Sequence, residues 1–335
     1  MIGRWSDEPV GQRQDLMKKI MVEHSSYQEA INGIRRFHRP VDGGVPDAGS
    51  LGLLIGDSRT GKTFAAKRYV KEFANTAGPE GMVMPVVRVD MPADGGPAAI
   101  LAAIAGELGL LVTQRMTNQM VFAAIKRALG RAKTELLILD EAEQFARPDA
   151  KRLLAYVRDL LRKLLDIGTF NILCVGLEKT YDVLQSDPRL VGRGLLPYTR
   201  LAPYEWGSRE GRNAFRLLCQ GFDQYLPFDE MAELASTDIA LRLYTASQGN
   251  VGRLHDMIYF GGCVALNRQA NRLELSHLAE AYDIRRPYND PFNPFRDNIE
   301  NKPRRSNEPA TKARAAKIDV SIFDKATMAV GLSNG

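Results

Sequence analysis

Apolar positions in the first forty residues recur at helical spacing. Leu16, Ile20 and Met21 mark an amphipathic segment over 12–24, and Ser26-Tyr27-Gln28-Glu29 reads as a capping box opening a second helix that runs to His38. A stretch with Pro40 and several glycines, 40–52, breaks the periodicity and predicts a loop. The pattern then alternates. Short apolar runs predict strands over 51–55, 83–89, 135–139 and 170–175, separated by helical spacing over 63–74, 97–110, 118–133 and 148–166. Strands without a polar face, separated by helices, predict a parallel sheet covered on both sides. Beyond Tyr204 the strand pattern fades, and helices are predicted over 207–225, 229–235, 237–247, 252–267 and 276–283. The expected fold class is α/β. A three-layer domain with a parallel sheet (41–203) follows N-terminal helices (1–40) and precedes a small all-helical lid domain (204–284) and a tail (285–335).

Composition changes the picture mainly in the tail. Residues 285–335 hold ten Lys and Arg against six Asp and Glu, so net +4 of the chain's +5 lies there, among many Pro and Asn. Such a segment buries too little apolar surface to offset its ordering entropy, and it is predicted to be mostly disordered. An apolar island at 318–330 either docks on a partner or stays solvated. Over the whole chain, 44% hydrophobic and 25% charged residues describe a globular protein with a mild basic excess, compatible with nucleic acid but not diagnostic of it. Cys174, Cys219 and Cys263 are far apart and set in apolar surroundings, which predicts buried thiols rather than disulfides or a metal cluster. His24, His38, His255 and His277 show no ligand spacing. The chain starts with polar residues and has no long apolar run, so a cytoplasmic protein without a membrane span is expected.

Two motifs carry chemistry. Gly56-Asp57-Ser58-Arg59-Thr60-Gly61-Lys62-Thr63 meets G-x-x-x-x-G-K-[ST] at every constrained position, between a predicted strand and a predicted helix. Glycines let such a loop wrap closely, so that backbone N–H groups and the helix N-terminus converge on phosphates. Lys62 is expected to neutralise β/γ oxygens of ATP and Thr63 to ligate Mg²⁺, with Phe64 next to the loop. Residues 136–141 are Leu-Leu-Ile-Leu-Asp-Glu: an apolar strand delivering two acids at its carboxyl end, where open α/β sheets bind ligands. Asp140 is expected to hold the metal and Glu141 to serve as general base. Taken alone the acid pair also reads as a helix cap; beside the phosphate loop it reads as hydrolytic machinery.

The order of these parts resembles AAA+ ATPases. The resemblance places strand 171–175 between the phosphate-loop strand and the acidic strand, with a polar sensor at its end, where this chain has Leu177. It implies an arginine finger acting on a neighbouring subunit at Arg193, with Arg189 as second choice and a surface ion pair as the alternative. It also implies a lid arginine at Arg253 in the G-x-x-x-R step 249–253, reaching the γ-phosphate. The adenine pocket is placed only by position, around the 27–38 helix and the loop after it.

Together with the stretch after the second strand (VVRVDMPADGGPAAILAAIAGELG), LLILDEAEQF, SDPRLVGRG and GNVGRLHDMI, these motifs resemble the TnsC/TniB group of transposition ATPases, relatives of the MuB and IstB regulators, over about residues 26–283. The resemblance implies ATP-driven self-assembly into a ring or helical filament around double-stranded DNA, contact with a TniQ-like target selector and a transposase, and disassembly by slow, assembly-dependent hydrolysis. It places DNA contacts near 114–118, with Arg115 as a phosphate contact and Thr117 as a second. The alternative is a solvated Arg115 and a Thr117 that caps the next helix. The basic run Lys126, Arg127, Arg131, Lys133 reads more simply as a solvated helix face. Rival readings are an initiator or clamp-loader ATPase, a non-hydrolysing scaffold that uses ATP only to assemble, and a nucleotide kinase, for which no acceptor motif is evident.

Overall fold

The computed structural model describes residues 4–93, 96–145, 151–191, 196–286 and 288–301. Residues 1–299 form one compact unit; of the second, 300–335, only the first two residues are described. In chain order come α1 (Val10–Lys19), α2 (Ser25–His38), β1 (Leu51–Gly56), α3 (Lys62–Val70), β2 (Thr76–Gly78), β3 (Gly81–Val83), β4 (Val86–Asp90), α4 (Pro97–Glu107), α5 (Asn118–Arg131), β5 (Leu136–Asp140), α6 (Lys151–Leu165), β6 (Asn171–Gly176), α7 (Glu178–Gln185), α8 (Pro188–Val191), β7 (Tyr198–Leu201), α9 (Arg209–Gln224), α10 (Thr237–Ser247), α11 (Val251–Asn267) and α12 (Leu275–Arg285).

Five strands form one sheet in the order β4-β5-β6-β1-β7, with every neighbouring pair parallel. Strand alternation divides each central strand between two cores. Leu137 and Leu139 of β5 and Ile172 and Cys174 of β6 face the core that holds α4, α5 and α6. Leu136, Ile138, Leu173 and Val175 face the core built on α2 and α3. A third core lies within α9–α12. Burial pushes the Cys174 thiol up to about 12 and raises that of Cys219, so both are inert packing groups, whereas Cys263 is half-buried. Among the described residues no helix is long and apolar enough to cross a membrane, and no three acids, histidines or cysteines gather as a metal cluster.

Several local expectations are corrected. The first helix stops at Lys19, and 20–24 lies outside regular secondary structure. The cap of α2 is His24, whose Nδ1 accepts the Tyr27 N–H at 3.3 Å, not Ser26. The apolar run 83–89 is split because Pro85, which has no N–H to donate, lies between β3 and β4; its carbonyl instead accepts from Glu135 and Leu136. The β2–β3 hairpin and edge strand β7 carry too few apolar residues to be read from periodicity. The helix expected over 229–235 is absent. There the buried carboxylate of Asp223 accepts the N–H groups of Ala232 (2.9 Å) and Leu234 (3.0 Å), and Glu233 is left-handed at φ 57°, so side-chain bonding replaces the helical ladder.

The termini also differ from their expected places. The N-terminal helices do not stand apart: Met17 of α1 sits in the lid core at 1% exposure and Arg13 donates to the Pro227 carbonyl, while α2 packs on the sheet. The tail expected from 285 is ordered at its start. Phe292 and Phe295 are buried, Asn293 donates to the Ala279 carbonyl, and Arg242 donates to the carbonyls of Pro294 and Asp297. The island 318–330 lies outside the described residues.

Candidate nucleotide site

The loop between β1 and α3 is shaped by its glycines. Gly61 N-caps α3 in the left-handed region (φ 97°), and a Cβ on Gly56 would stand 2.1 Å from the Leu201 carbonyl oxygen of β7. Thr60 donates its hydroxyl to the Asp57 carbonyl. Lys62 is 8% exposed and its Nζ donates to the carbonyls of Gly56 (3.0 Å) and Asp57 (2.6 Å). Desolvation lowers its pKa, opposed by the charges of Glu143, Asp57 and Asp140. The Thr63 hydroxyl donates to Oδ1 of Asp140 at 3.1 Å, across 77 residues of sequence. Asp140 is 1% exposed at the end of β5, and its Oδ1 also accepts the Glu141 N–H. Glu141 is exposed and left-handed at φ 56°. One hydroxyl and one buried carboxylate a hydrogen bond apart, beside a lysine held by loop carbonyls, fit Mg²⁺, which takes one or two protein oxygens plus phosphate oxygens. Thr63 and Asp140 would hold it.

The lid closes directly on this loop. Asn250 donates from Nδ2 to the Ser58 carbonyl at 2.8 Å, Gly252 N–H donates to the Arg59 carbonyl at 3.0 Å, and the Arg59 guanidinium pairs with Asp256 at 2.7 Å. A Cβ on Gly252 would meet Arg59 at 2.8 Å, so glycine permits the approach. Arg253 is exposed, with Nη1 on Gln248 Oε1 at 3.0 Å. Beside the loop lies a cavity of about 460 Å³ lined by Ile20, Met21, Val22, Tyr27, Phe64 and Val251 among others. The Phe64 and Tyr27 rings are 5.9 Å apart. His24 borders the same cavity; it contacts the Tyr204 hydroxyl at 3.0 Å, and burial holds its pKa down at about 4.

Other expected residues are distributed as follows. Strand β6 lies between β1 and β5, as expected, and Leu177 is the N-cap of α7 without a side-chain bond. Arg189 is exposed on α8; Arg193 lies outside the described residues. Arg115 is exposed in the loop between α4 and α5. Thr117 accepts the Met120 N–H at 3.3 Å and so caps α5, the second of its two roles. Lys126, Arg127, Arg131 and Lys133 are exposed.

Four contributors escaped sequence reasoning: Asn250, the 20–24 connector, Arg88, which donates from Nε to Oδ2 of Asp140, and the pair Glu143–Thr180. Among the described residues, Glu143 Oε2 and the Thr180 hydroxyl are buried without a partner; both lie 2.8 Å from the place a Cβ on Gly176 would take. The Asp-Glu-Ala-Glu spacing of 140–143 was the available signal for Glu143; nothing local marks the others.

A family profile described as an AAA domain matches residues 47–184. Solved structures share the fold over most of the chain. The Aeropyrum pernix ORC2 protein in its ADPNP-ADP complexes is 15% identical, with a TM-score of 0.57 over 80% of this chain and 71% of that one. Cdc6p from Pyrobaculum aerophilum is 15% identical, TM-score 0.57, over 81% and 70%. The A. pernix ORC1 protein in complex with DNA is 16% identical, TM-score 0.55, over 81% and 69%. The fold is the P-loop AAA+ fold. No curated protein matches the sequence. In this fold residues 56–63 form the loop between β1 and α3, and the helical region after β7 packs against that loop.

Proposed function

We propose that this chain is an ATP-hydrolysing AAA+ protein that assembles on duplex DNA in its ATP-bound form and is released by hydrolysis. The carrying observation is that the phosphate loop, the Thr63–Asp140 pair and the start of α11 meet at one point. The base enters the cavity lined by Tyr27 and Phe64, whose apolar walls bury a purine. Magnesium, when bound, offsets charge on the β- and γ-phosphates. Lys62 exchanges the Gly56 and Asp57 carbonyls for phosphate oxygens. Glu141, exposed at the tip of β5, accepts a proton from water. Asn250 and Gly252 bond to loop carbonyls, so lid position follows loop shape. In an assembly, Arg193 (or Arg189) reaches a neighbouring copy's phosphates, and Arg253 leaves Gln248 to do so from the lid. Arg115, on an exposed loop, contacts DNA phosphates, which makes binding weakly sequence-specific and steeply salt-dependent.

Two refinements are supported by different observations. The TnsC/TniB-like stretches favour a transposition regulator that links a TniQ-like selector to a transposase. The fold likeness to ORC and Cdc6 proteins over four-fifths of the chain favours an initiator-like ATPase. Electron microscopy with a non-hydrolysable ATP analogue and duplex DNA tests the proposal. ATP-dependent assembly on arbitrary DNA supports the regulator, and a discrete complex at one sequence supports the initiator. Lys62→Ala abolishes either, and Glu141→Gln traps it. If the protein neither takes up nucleotide nor assembles, the function proposed here is refuted.

A further inference from the structure

Arg88 stands beside the nucleotide site with no part in the reading above. It lies in the middle of edge strand β4, opposite Ile138 of β5. Alternation puts it on the same face as Ile138 and Asp140. Its Nε and Nη2 meet Oδ2 of Asp140 at 3.1 and 2.9 Å, and Nη2 also pairs with Asp90 at the end of β4. The Arg88 side chain is 14% exposed and that of Asp140 2%, so water does little to screen the pair. Oδ1 of Asp140 already accepts from Thr63 and from the Glu141 N–H. A carboxylate this buried requires a counter-charge, and Arg88 supplies it on the oxygen that Thr63 does not use.

We propose that Arg88 is an internal counter-ion that competes with a divalent cation for Asp140 and so sets the metal affinity of the nucleotide site. The proposal rests on the reading of Thr63 and Asp140 as the metal's residues. A cation at Asp140 sets two positive centres against one carboxylate. The repulsion is relieved because Arg88 has a second acceptor in Asp90, whose side chain is 60% exposed.

The expected sign separates this positioning role from that of a strut. Removing a guanidinium roughly 5 Å from a divalent cation, at an effective dielectric of about 20, lifts a repulsion equivalent to about four to five decades in affinity. The swing of Arg88 onto Asp90 takes up much of it, and at least about tenfold is expected to remain. Titration calorimetry of ADP against magnesium concentration reads the effect without turnover. Arg88→Met should lower the melting temperature of the nucleotide-free protein yet shift the magnesium requirement at least tenfold lower; Arg88→Lys should fall between. Asp90→Asn should shift it upward and have no effect in the Arg88→Met background. Weaker or unchanged magnesium binding in Arg88→Met overturns the proposal. If that variant does not fold, tighter or unchanged magnesium binding in Asp90→Asn overturns it. Absence of magnesium-dependent ADP binding in the native chain has a different signature: it overturns the metal reading and this proposal with it.

Discussion

Thr180 is fully buried and its hydroxyl has no partner among the described residues, in a fold where most buried polar groups are paired. An orphaned hydroxyl costs free energy that an isosteric methyl does not. Thr180→Val is therefore expected to stabilise the chain by about 1 kcal/mol in urea melts, whereas Thr180→Ala opens a void and destabilises it. His24 makes a second prediction. Burial holds its pKa at about 4 against an ordinary 6.5, so between those values the unfolded chain binds a proton that the folded chain refuses. Its contribution is complete above pH 6.5 and is lost as pH falls toward 4, by roughly 3 kcal/mol in total. His38 and His277, also lowered by burial, add to the same slope. His24→Asn keeps an acceptor for the Tyr27 N–H and does not titrate. Its urea midpoint should depend less on pH across that window, and an unchanged dependence would remove His24 from the account. Residue identities such as Lys62, Thr63 and Asp140 were legible from spacing. The pairing of Arg88 with Asp140 was not, because the two lie on different strands, nor was the burial of Thr180 beside Gly176 and Glu143.

At the scale of elements, the phosphate loop is held between β7 and the start of α11. Gly252 is the closest point of approach, with no room for a side chain against Arg59. Gly252→Val forces the lid helix off the loop at a steric cost of about 1–3 kcal/mol. ATP affinity by fluorescence titration is expected to drop about tenfold or more, with the sheet domain still folded by circular dichroism. Native affinity in this variant would mean the lid contact is incidental. Central strands β1, β5 and β6 were readable because each is a continuous apolar run buried on both faces. Edge strand β7 and the β2–β3 hairpin are half exposed, so their composition hardly differs from that of loops. The missing helix over 229–235 shows tertiary override of propensity: two main-chain N–H groups go to one buried carboxylate, Asp223, nine and eleven residues away.

Across the whole molecule, α1 belongs to the lid core and α2 to the sheet, and the 20–24 connector between them lines the cavity beside the phosphate loop. A ligand in that cavity therefore touches three parts of the fold at once. Met17→Ala removes a fully buried side chain from the lid core, and about 3 kcal/mol of stability should go with it. Because α1 anchors the connector, nucleotide affinity should weaken as well. A thermal-shift titration checks both, and unaltered affinity would show that the connector holds its course without α1. ATP itself should raise stability by about 2.7 kcal/mol at a hundred times its Kd, an effect that Lys62→Ala abolishes. The chain by itself determined the α/β class, the order of sheet and lid, and the two motifs, since each is written in contiguous residues through periodicity or fixed spacing. Only the tertiary structure decided what lines the cavity beside the phosphate loop, what neutralises Asp140 and where the first helix docks. Those depend on residues as far apart as 18 and 255, or 88 and 140, brought together by sheet order and packing, and no local pattern records such a meeting.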